Sequence, residues 1–209
     1  MDFQTKQNLF DYLKNNSQVL SNTALERAFQ VADRKNFVPP ELIDEAYEDY
    51  ALPIGYEQTI SQPTTVFFML EKLEVLPGHE VLDVGSGTGW TTALLSYLVG
   101  TKGRVTGIER VPELVTLGKH NITSVGIKNA QIVPIGNIDW HQKSYDRILV
   151  SASARSVPGI LKRLLKRSGI MVIPIDSSLL IIQKALDDTI MTHEFPGFEF
   201  VPLIPEIVV

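Results

Sequence analysis

The 209 residues include no cysteine. A disulfide framework, a thiolate nucleophile and a cysteine-ligated metal site are therefore excluded. Positive charge is also short. The formal net charge is −5, which leaves no electrostatic footprint for gripping nucleic-acid phosphates. Arg155, Lys162, Arg163, Lys166 and Arg167 do gather, but at helical spacing, so a solvated helix face is expected there. No apolar run approaches the roughly eighteen residues of a membrane span. The opening Met1-Asp2-Phe3-Gln4 has neither the basic nor the apolar region of a secretory signal. The expectation is a cytoplasmic protein with no nucleic-acid or membrane partner. Histidine is sparse: His79, His120, His141 and His193 lie apart, without metal-ligand spacing and with no nucleophile beside them. A structural role is expected for each, and no metal.

What the chain does have is Glu80-Val81-Leu82-Asp83-Val84-Gly85-Ser86-Gly87-Thr88-Gly89-Trp90. A short apolar run ends in glycines at alternate positions, and Ala93, Leu94, Leu95 and Leu98 then recur at helical spacing. Strand, glycine turn and helix form the first half of a βαβ unit, with a loop that lets a ligand approach the backbone closely. The dinucleotide fingerprint G-x-G-x-x-G needs its third glycine where Trp90 stands, which disfavours a nicotinamide dehydrogenase. No Gly-Lys-Ser/Thr follows either, so a P-loop is excluded. The second strand ends in Glu109, twenty residues beyond Gly89, where a carboxylate can accept ribose hydroxyls. A nucleoside-bearing ligand without phosphate contacts satisfies both features. S-adenosyl-L-methionine is one, and the spacing of Asp83, Gly85, Gly87, Gly89 and Glu109 resembles the cofactor loop of Rossmann-like methyltransferases.

Ahead of this unit, helices are expected over residues 3–15 (Leu9, Phe10 and Leu13 inward) and from Thr23 on, with Leu25, Ala28, Phe29 and Ala32 inward. Thr23 and Glu26 read as a capping box, and Phe37-Val38-Pro39-Pro40 stops the second helix. Residues 50–63 read as a loop packed down by Leu52, Ile54, Tyr56 and Ile60. Pro63 opens a helix with Val66, Phe67, Leu70 and Leu73 as its apolar face. Ser61 and Gln62 thus precede a helix N-terminus, which suits a carboxylate; taken alone, Ser61 reads better as a simple helix cap.

After Glu109, Pro112 opens a helix with Leu114, Val115 and Leu117 apolar. Strands are expected at residues 130–135, 146–150, 169–174 and 179–183, with a last one in the 190–200 tail, and a helix over residues 157–165. Strands alternating with helices, then strands alone, predict an α/β fold. The expected architecture is a doubly wound, mostly parallel seven-stranded sheet with an antiparallel edge and an N-terminal helical cap. One domain is expected, with residues 1–62 as cap and substrate loop and residues 63–209 as core.

Phe37-Val38-Pro39, Ala46-Tyr47, Leu52-Pro53-Ile54-Gly55 and Gln58-Thr59-Ile60-Ser61-Gln62-Pro63 resemble the protein-L-isoaspartate O-methyltransferase family. The likeness continues through the glycine loop, Glu109, Tyr145-Asp146-Arg147-Ile148, Pro158, residues 166–174 and Phe200-Val201-Pro202-Leu203. It implies a carboxyl methyltransferase that uses S-adenosyl-L-methionine and acts on isoaspartyl peptides or proteins, as a monomer or weak oligomer. It also implies that Ser61 contacts the acceptor carboxylate. Thr59, Ile60, Asp83, Gly85, Ser86, Gly87, Gly89, Glu109, Asn137 and Ile138 would serve the cofactor. Trp90 is expected to pack in the core. The chain departs from the family at Asn137-Ile138, where an aspartate and a glycine are usual; Asp139 is a possible substitute. It departs again at Glu57, usually a small residue, and at Ser177-Ser178, usually glutamine. A divergent methyltransferase with another acceptor, or a non-catalytic relative that binds the cofactor, are the alternatives.

Overall fold

The computed structural model describes residue 3, residues 5–138 and residues 143–204. Helix α1 (Lys6–Asn15) starts three residues later than the apolar pattern predicts, because the Thr5 hydroxyl accepts from the Asn8 amide and caps it. Phe3 stays outside the helix, its ring 4.8 Å from that of Tyr12. Helix α2 (Thr23–Val31) is capped by Asn22, whose side-chain oxygen accepts from Ala24 and Leu25, so the expected Thr23–Glu26 box does not form. Asparagine outcompetes threonine at such a position. The inward residues of both helices are buried as expected, apart from the partly buried Phe10.

Residues 50–63 are more ordered than a loop. Strands β1 (Leu52–Gly55) and β2 (Gln58–Ile60) form an antiparallel hairpin with Leu52, Ile54 and Ile60 buried. Tyr56 and Glu57 make its turn, both at positive φ (55° and 59°), so Tyr56 is exposed at the tip rather than packed down. A two-residue hairpin turn with both φ values positive favours glycine and asparagine. That is the physical sense of a small residue in place of Glu57. Helix α3 (Pro63–Leu73) follows with Pro63 in its first turn and Val66, Phe67, Leu70 and Leu73 buried.

The core is built from β3 (Glu80–Val84), α4 (Trp90–Val99), β4 (Arg104–Glu109), α5 (Pro112–Ser124), β5 (Ala130–Pro134), β6 (Tyr145–Val150), α6 (Gly159–Leu164), β7 (Leu165–Ile175), β8 (Ser178–Lys184) and β9 (Ile190–Pro196). The seven-stranded sheet runs β5-β4-β3-β6-β7-β8-β9, with β3 to β7 parallel and β8 antiparallel to both of its neighbours. This is the expected doubly wound α/β sheet. The chain winds outward from β3 to β5, then crosses back to start the other half at β6. The carboxyl ends of β3 and β6 therefore flank the switch point, where such sheets bind ligands.

Two expectations fail, one in each half of the sheet. Helix α6 is only six residues long, and Lys166 and Arg167 lie in β7, where they pair with Asp146 at 2.9 Å and Asp188 at 2.5 Å. The basic cluster is thus split between helix and strand, because β7 already begins at Leu165 opposite Tyr145, and Lys166 and Arg167 fall in the irregular stretch before the pairing with β6 resumes at Ile170. In α5, Leu117 is exposed and Gly118 takes the inward place. A side chain at Gly118 would meet Ile132 at 2.8 Å and the Gly87 carbonyl oxygen at 2.9 Å. Among the described residues no helix is long and apolar enough to cross a membrane, and no His, Asp or Glu cluster fits a metal.

Candidate active site

The glycine loop after β3 forms the floor of a cleft. Gly85 has φ +81°, and the space its missing side chain leaves faces Ser151 at 3.8 Å. Gly89 (φ +94°) instead abuts Ile122 and Ile132, so it seats α5 against the loop and does not line the cleft. Trp90 is 2% exposed, as expected of a core residue. Its indole N–H donates to the Ala32 carbonyl at 3.0 Å and its ring meets Phe67 edge-on, although its side also borders the cleft.

Glu109 sits at the end of β4 as anticipated and lines the cleft, 6% exposed. Its carboxylate already has work within the chain. One oxygen accepts from the Arg110 and Val111 amides at 2.7 and 2.9 Å, and the other from the Gly87 amide at 3.0 Å. A carboxylate offers about four lone-pair sites, so roughly one remains on Oε2 for a ligand hydroxyl.

Asp83 lies fully buried beneath the loop, not in the cleft. Its Oδ2 accepts from the hydroxyls of Thr91 (2.8 Å) and Thr92 (2.6 Å), which ties the first turn of α4 to β3. Burial pushes its carboxyl pKa up to about 6; the two threonine hydrogen bonds oppose this and nearby Glu109 adds to it. Asp83 Oδ1 and Ser86 Oγ are both buried without a hydrogen-bond partner among the described residues.

On the opposite wall stand Ile54, Gln58, Thr59, Ile60 and Ser61. The N-terminus of α3 is not free for a substrate carboxylate, as the sequence had suggested. Asp49 occupies it, accepting from the Thr64 amide at 2.8 Å, the Thr64 hydroxyl at 2.7 Å and the Gln62 side chain at 3.1 Å. Nor does Ser61 cap the helix. Its carbonyl is held by Arg34, and its hydroxyl makes no hydrogen bond with another described residue.

Arg34, which no motif flagged, organises this wall. It is 3% exposed, and its terminal nitrogens donate to the carbonyls of Ala46, Glu48, Tyr50, Ile60 and Ser61 at 3.0–3.3 Å. Its guanidinium carbon lies 5.4 Å from the Trp90 ring centroid. Burial lowers its pKa to about 10, with Asp49 and Tyr50 pulling the other way. It remains charged at neutral pH.

A second cleft adjoins the first. Ala51, Gln62, Thr65, Glu199 and Phe200 line it alone; Thr59, Ser61, Ser151 and Val201 line both. Residues 201–204 close one side of the first cleft, where Ser153 and Val201–Leu203 are clipped together by amide bonds of 2.8 and 2.7 Å. The tail leaves the sheet at Gly197, so the last strand is shorter than the sequence predicts.

Thus Thr59, Ile60, Ser61, Gly85, Ser86, Gly87 and Glu109 converge on one cleft, whereas Asp83, Gly89, Asn137 and Ile138 do not line it. Asn137 is exposed at the end of a single 3-10 turn, and Ile135 from that turn reaches the cleft instead. Asp139 lies outside the described residues, as does His141. Ser151 and the 201–204 segment were missed as site residues. Ser151 directly follows β6, and the rule that ligands sit at strand carboxyl ends would have found it.

The comparisons fit this arrangement. The family model for Protein-L-isoaspartate(D-aspartate) O-methyltransferase matches residues 4–207. A protein-L-isoaspartate O-methyltransferase of Methanopyrus kandleri is 39% identical, covering 97% of this chain and 92% of the relative. One from Methanothrix thermoacetophila is 40% identical over 95% of this chain and 94% of its own length. A solved structure from Plasmodium falciparum, described as such an enzyme in complex with S-adenosyl-L-homocysteine, superposes with a TM-score of 0.84 at 26% identity, covering 95% and 97% of the two chains. Likeness of this extent runs through cap, hairpin, glycine loop and tail in one order, and the chain belongs to the protein-L-isoaspartate (D-aspartate) O-methyltransferase family.

Proposed function

We propose that this chain transfers a methyl group from S-adenosyl-L-methionine to the free carboxylate of L-isoaspartyl residues in damaged proteins or peptides. The observation that carries the reading is the meeting of two clefts at Ser61 and Ser151, one floored by the glycine loop and one open to an extended acceptor. The Plasmodium falciparum relative, described with S-adenosyl-L-homocysteine bound, supports the cofactor.

The residues fit that cofactor. Glu109 keeps an acceptor site for a ribose hydroxyl, and the Ser86 hydroxyl, which has no partner among the described residues, marks a polar position under the loop. Gly85, Ser86, Gly87, Thr59 and Ile60 would line its binding site. Asp83 and Gly89 would act from behind the loop by holding α4 and α5 in place. Bound in the cleft, S-adenosyl-L-methionine supplies an electrophilic methyl group. The acceptor carboxylate is ionised at pH 7, so the chain needs no general base. Its task is to place the carboxylate and exclude water. Ser61 donates a hydrogen bond to one carboxylate oxygen, while Ile54, Ile60, Ile108, Val201 and Leu203 wall off solvent. In this reading residues 1–62 act as cap and acceptor loop and residues 63–209 as the cofactor-binding core. The protein works in the cytoplasm as a monomer or weak oligomer.

The test is transfer of label from S-adenosyl-L-methionine to an isoaspartyl peptide, with the aspartyl peptide as control. Base-labile label on the isoaspartyl form alone is the expected result. Equal labelling of both peptides, or none with cofactor binding intact, would refute the assignment of the acceptor.

A further inference from the structure

Donor and acceptor can meet only where the two clefts join, at Thr59, Ser61, Ser151 and Val201. A carboxylate has two oxygens. One must face the methyl group, and the group stays in line only if its rotation is restrained by more than one contact. Ser61 offers a single hydroxyl. Val201 has no side-chain donor, and Thr59 is exposed on the hairpin. Ser153, close by in sequence, already donates to the Asp176 carbonyl at 2.9 Å.

Ser151 has the remaining donor. It is half-buried at the carboxyl end of β6, and its amide donates to the Val84 carbonyl at 2.8 Å, which anchors it to the neighbouring strand. Its Cβ and carbonyl lie 3.8–3.9 Å from where a side chain on Gly85 would begin, so it borders the glycine loop at van der Waals distance. Its hydroxyl makes no hydrogen bond with another described residue. We propose that Ser151 is a second hydroxyl donor to the acceptor carboxylate, opposite Ser61, so that the two serines grip the group from different walls. Ser61 comes from the cap side and Ser151 from the sheet. Methyl transfer then depends on the register between these two parts of the fold. The inference rests on the acceptor reading above.

The experiment compares the full chain with Ser151→Ala, Ser151→Thr, Ser61→Ala and the double alanine variant. It measures initial rates against isoaspartyl peptide concentration and S-adenosyl-L-homocysteine affinity by calorimetry. Loss of a hydrogen bond to a charged group predicts a fall in kcat/KM of roughly tenfold to a hundredfold for Ser151→Ala. Cofactor-product affinity is unchanged, and Ser151→Thr recovers most of the loss. The double variant loses less than the product of the single losses, because both hydroxyls serve one carboxylate. Unchanged kcat/KM in Ser151→Ala, or a matching loss of S-adenosyl-L-homocysteine affinity, overturns the role of Ser151 and leaves the acceptor reading standing. No transfer by the unaltered chain overturns the acceptor reading itself, and the role of Ser151 with it.

Discussion

The Gly87 amide donates to Glu109 Oε2 at 3.0 Å, so the acid at the end of β4 holds the glycine loop as well as facing the cleft. Loop shape and ligand recognition are therefore linked through one carboxylate.

Glu109→Ala follows from this link. It should weaken S-adenosyl-L-homocysteine binding by about 1.5–3 kcal/mol, the worth of a hydrogen bond to a charged acceptor. It should also lower the melting temperature, because the Gly87, Arg110 and Val111 amides lose their acceptor. Calorimetry and a thermal melt check both; normal affinity would remove Glu109 from the cofactor site.

Arg34→Lys tests the wall that carries Ser61. A lysine has three donors and no planar fork, so it cannot serve all five carbonyls that Arg34 holds. The expected cost is about 2–4 kcal/mol of stability, from several buried hydrogen bonds lost together. Peptide kcat/KM should fall by a larger factor than S-adenosyl-L-homocysteine affinity. An equal fall in both would mean that Arg34 supports the whole fold and does not position Ser61 in particular.

Asp83 makes stability depend on pH in a defined direction. Its folded-state pKa is raised to about 6 from 3.8, so between these values the folded chain keeps a proton that the unfolded chain has lost. Stability from this group is present below about pH 4 and declines as pH rises through 6, by on the order of 3 kcal/mol. Asp83→Asn lacks the group. The stability of the variant relative to the parent should therefore rise from pH 4 to pH 7 in denaturant titrations. A flat difference would refute the raised pKa.

Asn137→Asp asks whether the departure from the family pattern matters. Asn137 is exposed and does not line the cleft. The substitution should leave S-adenosyl-L-homocysteine affinity within about twofold, as for surface changes of a few tenths of a kcal/mol. A clear tightening would bring residue 137 back to the adenine side of the site.

Much of the fold was readable because its causes are local. Apolar periodicity marked most helices and sheet strands, and alternate glycines marked the turn between β3 and α4. Glu109 was found by its spacing, since one βαβ unit has a nearly fixed length. For the Thr59-Ile60-Ser61 wall the physical pattern offered only a packed Ile60 and a Ser61 ahead of a helix start, and the cofactor and acceptor roles came from likeness to a family. Local signals misled where neighbours competed: Asn22 against Thr23 for the cap, and the early start of β7 at Leu165 against helical spacing at Lys166 and Arg167.

Other features depend on residues far apart in the chain, which no window can reveal. Arg34 meets carbonyls up to 27 residues away, and Asp49 takes the helix terminus that seemed open to substrate. Ser151 stands beside Gly85 only because β6 returns next to β3 across the switch point. Asp83, a plausible ligand residue by motif, turns inward because alternate strand positions face opposite sides and two threonines of α4 take its carboxylate. Residue types and their spacing settled the chemistry on offer; the packing of distant strands and carbonyls settled which groups meet in the cleft.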